Sequence, residues 1–289
     1  MTASGKISGT LHGDDGTSNE VEIAGAKWSA SHSQQGSKFS LRCAVGGESV
    51  LWSCTAMGRV TSWDANNGRH SLAWSDSFDY LNTQEGYACS EELQLPGNDA
   101  KFEAEIEVIK MRIVDLSSPT NEAIESSEDA ACLEVEDQKF WVSKEVLSFH
   151  SPFFKALFSS DFKEKATGSY TLKDVKMADF KLLLSVIYNL DITINTKESL
   201  EGLLRLGDMY QADSVLSFCR DFLDSLRSTF LPLETEIELC DRHGFFPILT
   251  TIIKSANLED LKRLFKEGHF ARLSSYSLCL IGERLLRSM

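Results

Sequence analysis

Hydrophobic spacing changes once along this chain, and the change divides what each part can fold into. Before residue 117 the ordered stretches alternate. Phe39-Ser40-Leu41-Arg42-Cys43-Ala44-Val45 does so loosely, and Phe102-Glu103-Ala104-Glu105-Ile106-Glu107-Val108 does so strictly. A period of two puts every second side chain on one face, which predicts half-buried strands. Gly46-Gly47, Asn66-Asn67-Gly68 and Pro96-Gly97-Asn98 supply turn residues between them. Short strands with this punctuation predict an antiparallel sandwich over 1–116, a region that also holds Trp28, Trp52, Trp63 and Trp74. Residues 117–128 are polar, contain Pro119 and read as a linker at a domain boundary.

From residue 129 the period lengthens. Cys132-Leu133-Glu134-Val135 and Lys139-Phe140-Trp141-Val142 predict a hairpin around Glu136-Asp137-Gln138. Ser151-Pro152 is an N-cap followed by proline in the first helical turn. Tyr170 to Val175 reads as a short strand. Residues 177–189, 198–209 and 212–227 carry apolar residues at i, i+3 and i+4 and read as amphipathic helices. The remainder, from about 232 to 289, reads as helical throughout, with Pro232, Gly244, Pro247 and the cap candidate Asn257 as punctuation. No internal repeat is evident.

Composition narrows the function classes. The 289 residues carry 29 Lys+Arg against 43 Asp+Glu, a net charge of −14. An acidic surface repels phosphate backbones and anionic lipid, so the expected partners are basic or neutral proteins, with no nucleic acid and no membrane. The seven cysteines are odd in number and form no C-x-x-C pair. They read as reduced thiols of a cytoplasmic or nuclear protein. Neither a signal core at the N-terminus nor an apolar run of spanning length is present, so a soluble chain is expected.

The motifs of catalysis are absent. There is no G-x-G-x-x-G, no phosphate-cradling G-x-x-x-x-G-K-[ST] and no G-x-S-x-G. Gly13-Asp14-Asp15-Gly16 reads as a hairpin turn because further oxygen ligands do not follow at calcium-loop spacing. None of the six histidines pairs with another His or Cys at metal-ligand spacing. Cys43 and Cys54 are placed to face each other on adjacent strands, but no general base is evident for either. A non-enzyme without metal or cofactor is expected. The densest remaining signal is aromatic: Trp141, Phe149, Phe153, Phe154, Phe158 and Phe162. That exceeds what one small core absorbs, so part of it is expected at an interface.

The stretch Phe140-Trp141-Val142-Ser143-Lys144-Glu145-Val146-Leu147-Ser148-Phe149-His150-Ser151-Pro152-Phe153-Phe154-Lys155-Ala156-Leu157-Phe158 resembles the signature of the BTB (POZ) domain. The Tyr170–Val175 strand, the helix Phe180–Tyr188 and Leu206-Gly207-Asp208-Met209-Tyr210-Gln211-Ala212 resemble its later elements. Ser143 departs from the pattern, where the family has His. The resemblance covers about 129–227 and implies a domain that dimerises through its first helix and N-terminal strand. Asp129 and Lys144 match a charged pair at the dimer seam, with Phe149 and Phe153 near the two-fold axis. Phe162-Lys163-Glu164 resembles the hydrophobic-x-Glu element by which such adaptors bind a cullin-3 scaffold. There Phe162 would fill a cullin pocket and Glu164 add a polar contact; the other reading is that Phe162 caps the core.

The helices at 232–267 resemble the extension that follows the BTB domain in such adaptors. More faintly, Ala26-Lys27-Trp28, Trp74 with Phe78-Asp79-Tyr80-Leu81, Gly86-Tyr87, and Ile106-Glu107-Val108 resemble the MATH (TRAF-like) sandwich. In that family the sandwich grips a substrate peptide, and Trp74 and Phe78 are groove candidates that are equally readable as core. The expected architecture is α+β: a MATH-like antiparallel β-sandwich at 1–116, a linker at 117–128, a BTB domain at 129–227 and a C-terminal helical extension at 228–289. The expected function is a dimeric substrate adaptor of a cullin-3 ubiquitin ligase; the alternative is a BTB scaffold that binds no cullin.

Overall fold

The computed structural model describes residues 3–11, 16–33, 38–63, 69–82, 100–159, 168–225 and 231–287. The chain divides into two units, one of residues 1–147, 160–177 and 184–193, the other of residues 148–159, 178–183 and 194–289.

The first unit begins with two antiparallel sheets. One has the order β1 (Ala3–Leu11), β8 (Ala100–Asp115), β6 (Val50–Trp63), β7 (His70–Asp79). The other has the order β2 (Gly16–Thr17), β4 (Ala26–Ser33), β3 (Val21–Ile23), with β5 (Lys38–Ala44) also paired to β4. Their facing sides bury Ile7, Trp28, Phe39, Leu41, Trp52, Phe102 and Ile106. The alternation read in β8 is realised: Phe102, Ala104, Ile106 and Val108 point inward and Glu103, Glu105 and Glu107 do not. It then breaks. A register shift opposite Thr55/Ala56 leaves Ile109 as an extra residue on β8, so that Met111, at odd parity, packs on the core. Gly58 of β6 lies close against β8; a Cβ there would stand 1.9 Å from the Glu105 carbonyl oxygen.

A three-stranded sheet completes this unit. β9 (Ala130–Val135) and β10 (Gln138–Ser143) form the expected hairpin, turned by Glu136 at φ 52°. β11 (Ser169–Leu172) joins β9 in parallel, which makes β9 central and explains why Ala131, Cys132, Leu133 and Val135 are all buried. Residues 117–128 fold as consecutive turns.

Helices α1 (Lys144–His150) and α2 (Pro152–Ser159) are formed by the signature region, and α3 (Met177–Ile187) follows it. Within the second unit α4 (Lys197–Met209) packs against α5 (Asp213–Ser225). Gly202 of α4 faces the Asp179 carboxylate at a distance that leaves no room for a Cβ, and Asp179 pairs with Arg205 at 3.1 Å. The final helices are α6 (Leu233–Arg242), α7 (Phe246–Ser255), α8 (Leu258–Lys266) and α9 (Ser275–Leu286). Asn257 caps α8 by accepting from the Glu259 N–H at 2.8 Å. Ser274 caps α9 and donates to Asp241 of α6. No helix among the described residues is long and apolar enough to cross a membrane.

Candidate interaction surface

The start of α1 is fixed by two acceptors. Ser143 Oγ accepts from the Val146 N–H at 3.1 Å, and Asp129 Oδ1 accepts from the Glu145 N–H at 2.8 Å. Together they satisfy N–H groups that the first helical turn leaves open. Ser143, the departure from the family pattern, is thus a helix cap. Lys144 does not pair with Asp129 within the chain. Its Nζ donates to the Glu128 carbonyl at 2.8 Å, while Asp129 Oδ2 is buried and has no hydrogen-bond partner.

Beyond the cap, α1 buries Leu147 and leaves Phe149 85% exposed. The ring contact of Phe149 is the edge of the adjoining His150, at 5.1 Å. His150 Nδ1 lies 3.0 Å from Ser214 Oγ, and partial burial holds its pKa below the ordinary value. Ser151 restarts the chain as a helix: its Oγ accepts from the Phe154 N–H at 3.2 Å and donates to the Tyr210 carbonyl. The turn from α1 to α2 sorts the aromatic run by face. Phe154 and Phe158 are buried and stacked at 5.9 Å, with Phe154 4.8 Å from Tyr210. Phe153 leans on Tyr210 at 4.9 Å yet stays 37% exposed. Phe149 and Phe153 are therefore the exposed rings among the described residues of α1 and α2. Phe162 and Glu164 lie outside the described residues.

Trp74 and Phe78 are not groove residues. Both are buried, at 7% and 4% exposure, and close on Trp28, whose ring lies 6.5 Å from Trp74 and 5.0 Å from Phe78. Their alternation on β7 points them into the sandwich, so a peptide has no surface of theirs to touch. Cys43 and Cys54 meet across the two sheets, from β5 and β6, and not on adjacent strands. Their mutual hydrogen bond and burial push the Cys43 thiol well up, which keeps it protonated.

Two further features were not foreseen. A cavity of about 650 Å³ opens in the first unit beside Arg112, Ile113, Asn121, Val146 and Tyr188. The exposed apolar side chains Phe246 and Tyr276 also pair edge to face at 4.9 Å on α7 and α9. Sequence spacing shows such residues as apolar but does not show which helix face a neighbour covers. Among the described residues, no group of three or more His, Cys, Asp or Glu side chains is placed to hold a metal ion.

Residues 126–227 match the family model of the BTB/POZ domain, so the chain carries one. Over most of its length the chain is similar to BTB and MATH domain-containing proteins of Caenorhabditis elegans. It is 25% identical to protein 38 over 256 residues, 85% of this chain and 65% of that relative. It is 28% identical to protein 36 over 244 residues, 77% of this chain and 72% of that relative. Human Kelch repeat and BTB domain-containing protein 4 is 31% identical over 141 residues, 49% of this chain and 26% of that protein. The chain thus spans just under two thirds of protein 38 and about a quarter of the Kelch-repeat relative.

Proposed function

We propose that this chain is a non-catalytic adaptor that dimerises through its BTB domain and captures target proteins with the N-terminal sandwich, which we read as MATH-like. The observation that carries this reading is the aromatic surface of Phe149 and Phe153, since a ring 85% exposed at the end of a well-capped helix is an anchor awaiting a partner. A two-fold axis brings the same patch together twice and suits a compact aromatic surface. The resemblance also puts Asp129 and Lys144 at the seam, and within the chain Lys144 Nζ donates to the Glu128 carbonyl and not to Asp129. Two copies present two sandwiches, so weak capture of a bivalent target is strengthened by avidity.

The second half of the reading is a cullin-3 scaffold docked at Phe162 and Glu164. The resemblance of Phe162-Lys163-Glu164 to the adaptor element supports it, as does the acidic chain, which favours a basic or neutral partner surface. Co-purification with cullin-3 before and after Phe162→Ala tests it, and loss of binding in the variant is expected. Undiminished binding removes Phe162 from the interface. A wild-type protein that dimerises but retains no cullin supports the alternative, a scaffold that assembles regulatory partners.

A further inference from the structure

The polar stretch 117–128 reads as a tether, yet in the first unit Asn121 within it and Leu116 just before it are bonded to the edge of the three-stranded sheet. β10 is an edge strand, and an edge offers unpaired N–H and C=O groups to any passing strand. Here they are occupied. The Trp141 N–H donates to the Leu116 carbonyl at 2.8 Å, and the Trp141 carbonyl accepts from Asn121 Nδ2 at 3.0 Å. The same Asn121 amide donates to the Ser118 carbonyl at 2.8 Å, and its Oδ1 accepts from the Ala123 N–H at 3.0 Å. Two residues earlier on β10, the Lys139 carbonyl accepts from Ser49 Oγ at 2.9 Å, and the Ser49 carbonyl in turn accepts from the Leu116 N–H at 3.0 Å.

A second seam runs from β6, β7 and β8 to residues 185–193. Ser53 Oγ accepts from the Asp191 N–H at 3.2 Å. Asp79 Oδ2 accepts from the Thr193 N–H at 2.8 Å, while its Oδ1 accepts from the Leu81 N–H. Ser185 Oγ donates to the Tyr80 hydroxyl at 2.9 Å, and Lys110 pairs with the Asp191 carboxylate. Ser49, Ser53, Asp79 and Ser185 are all buried. Polar side chains are withdrawn from water only where partners replace it, so a sandwich swinging on a tether has no use for these four.

We propose that the sandwich, the three-stranded sheet and residues 185–193 move as one rigid body, clasped by Asn121 and Ser49 at β10 and by Asp79 and Ser53 at Asp191 and Thr193. A protein held by the sandwich is then presented along a fixed direction from the sheet rather than through a range of orientations. The clasp also closes the β10 edge to strand addition. The proposal does not depend on cullin binding or on what the sandwich captures.

Residual dipolar couplings of the deuterated full chain test it. Order tensors fitted separately to amides of β1, β6 and β8 and to amides of β9, β10 and β11 should coincide in magnitude and orientation. Tensors of different magnitude overturn the rigid body. In Asn121→Ala/Asp79→Ala the two tensors should separate; coincident tensors in that variant overturn the role of the clasp. Should the double variant fail to fold, Asn121→Ala alone gives a second readout. Its proteolytic cleavage within 117–128 should be about tenfold faster than in the wild type, since cleavage follows local opening. Cleavage equally rapid in the wild type overturns the proposal.

Discussion

Replacing Phe149 by alanine separates an interface residue from a structural one, because the two roles move different quantities. The ring is 85% exposed in the single chain, so nearly all its transfer free energy remains to be gained on association. Fully burying a phenylalanine side chain is worth about 1.5–3 kcal/mol. A two-fold interface contains the ring twice, so Phe149→Ala should remove about 3–5 kcal/mol from dimerisation. At about 1.4 kcal/mol per tenfold, the dissociation constant should rise at least a hundredfold. Folding of the protomer should hardly change, within about 0.5 kcal/mol, since an exposed side chain is lost and no cavity is made. Sedimentation equilibrium over a concentration series gives the first number. Urea denaturation of the variant and the wild type, extrapolated to the monomer, gives the second. A dissociation constant within about fivefold of the wild type would place the ring outside any hot spot. A wild type still monomeric at about 100 µM would refute the reasoning outright.

Three other perturbations probe the fold beneath that surface. Gly58→Ala forces a Cβ to within 1.9 Å of a backbone oxygen that cannot swing aside, so it should destabilise the sandwich by about 3 kcal/mol or more in chemical denaturation. Trp74→Ala should cost about 3–5 kcal/mol of stability as a core truncation; a stable variant that instead loses a sandwich ligand would return Trp74 to a groove. Asp241 gives a pH signature. Burial raises its pKa, but hydrogen bonds from Ser274 and Ser277 outweigh burial and hold it below the usual value. A depressed folded pKa means that the unfolded chain takes up the proton first. The contribution is therefore complete above the unfolded pKa of about 3.9 and is lost as pH falls below it toward the folded value. Melting temperatures followed by circular dichroism should drop more steeply below about pH 4 in the wild type than in Asp241→Asn, and parallel slopes would remove Asp241 from the acid response.

What the sequence revealed depended on whether the relevant physics repeats along the chain. The strict alternation of Phe102 to Val108 declared both a strand and its buried face, because every second residue carries the same information. The bulge just beyond it is one residue, Ile109, and its trace in the sequence is the adjacent apolar pair Val108-Ile109, after which Met111 and Ile113 fall on odd positions; a single doubled residue does not say on its own that the strand continues. Trp74 and Phe78 illustrate a second limit. Period two assigns residues to a common face but does not say which face is covered. Only the arrival of Trp28 from the opposite sheet decides it.

The stretch at 117–128 illustrates a third. Composition reports that a segment has little apolar surface to bury; it does not report whether its polar atoms have partners. Asn121 looks like any solvated turn residue until the edge of β10 is beside it. The aromatic run was more legible because its excess was numerical. Six large rings between Trp141 and Phe162 exceed what two short helices can bury. The helical period then determines which of them remain outside: Phe154 and Phe158, one turn apart, take the covered face. Phe153, next to Phe154 on α2, is turned off that face, and Phe149 belongs to the separate helix α1. Those two rings are therefore what α1 and α2 leave exposed, and the proposed dimer interface is placed on them.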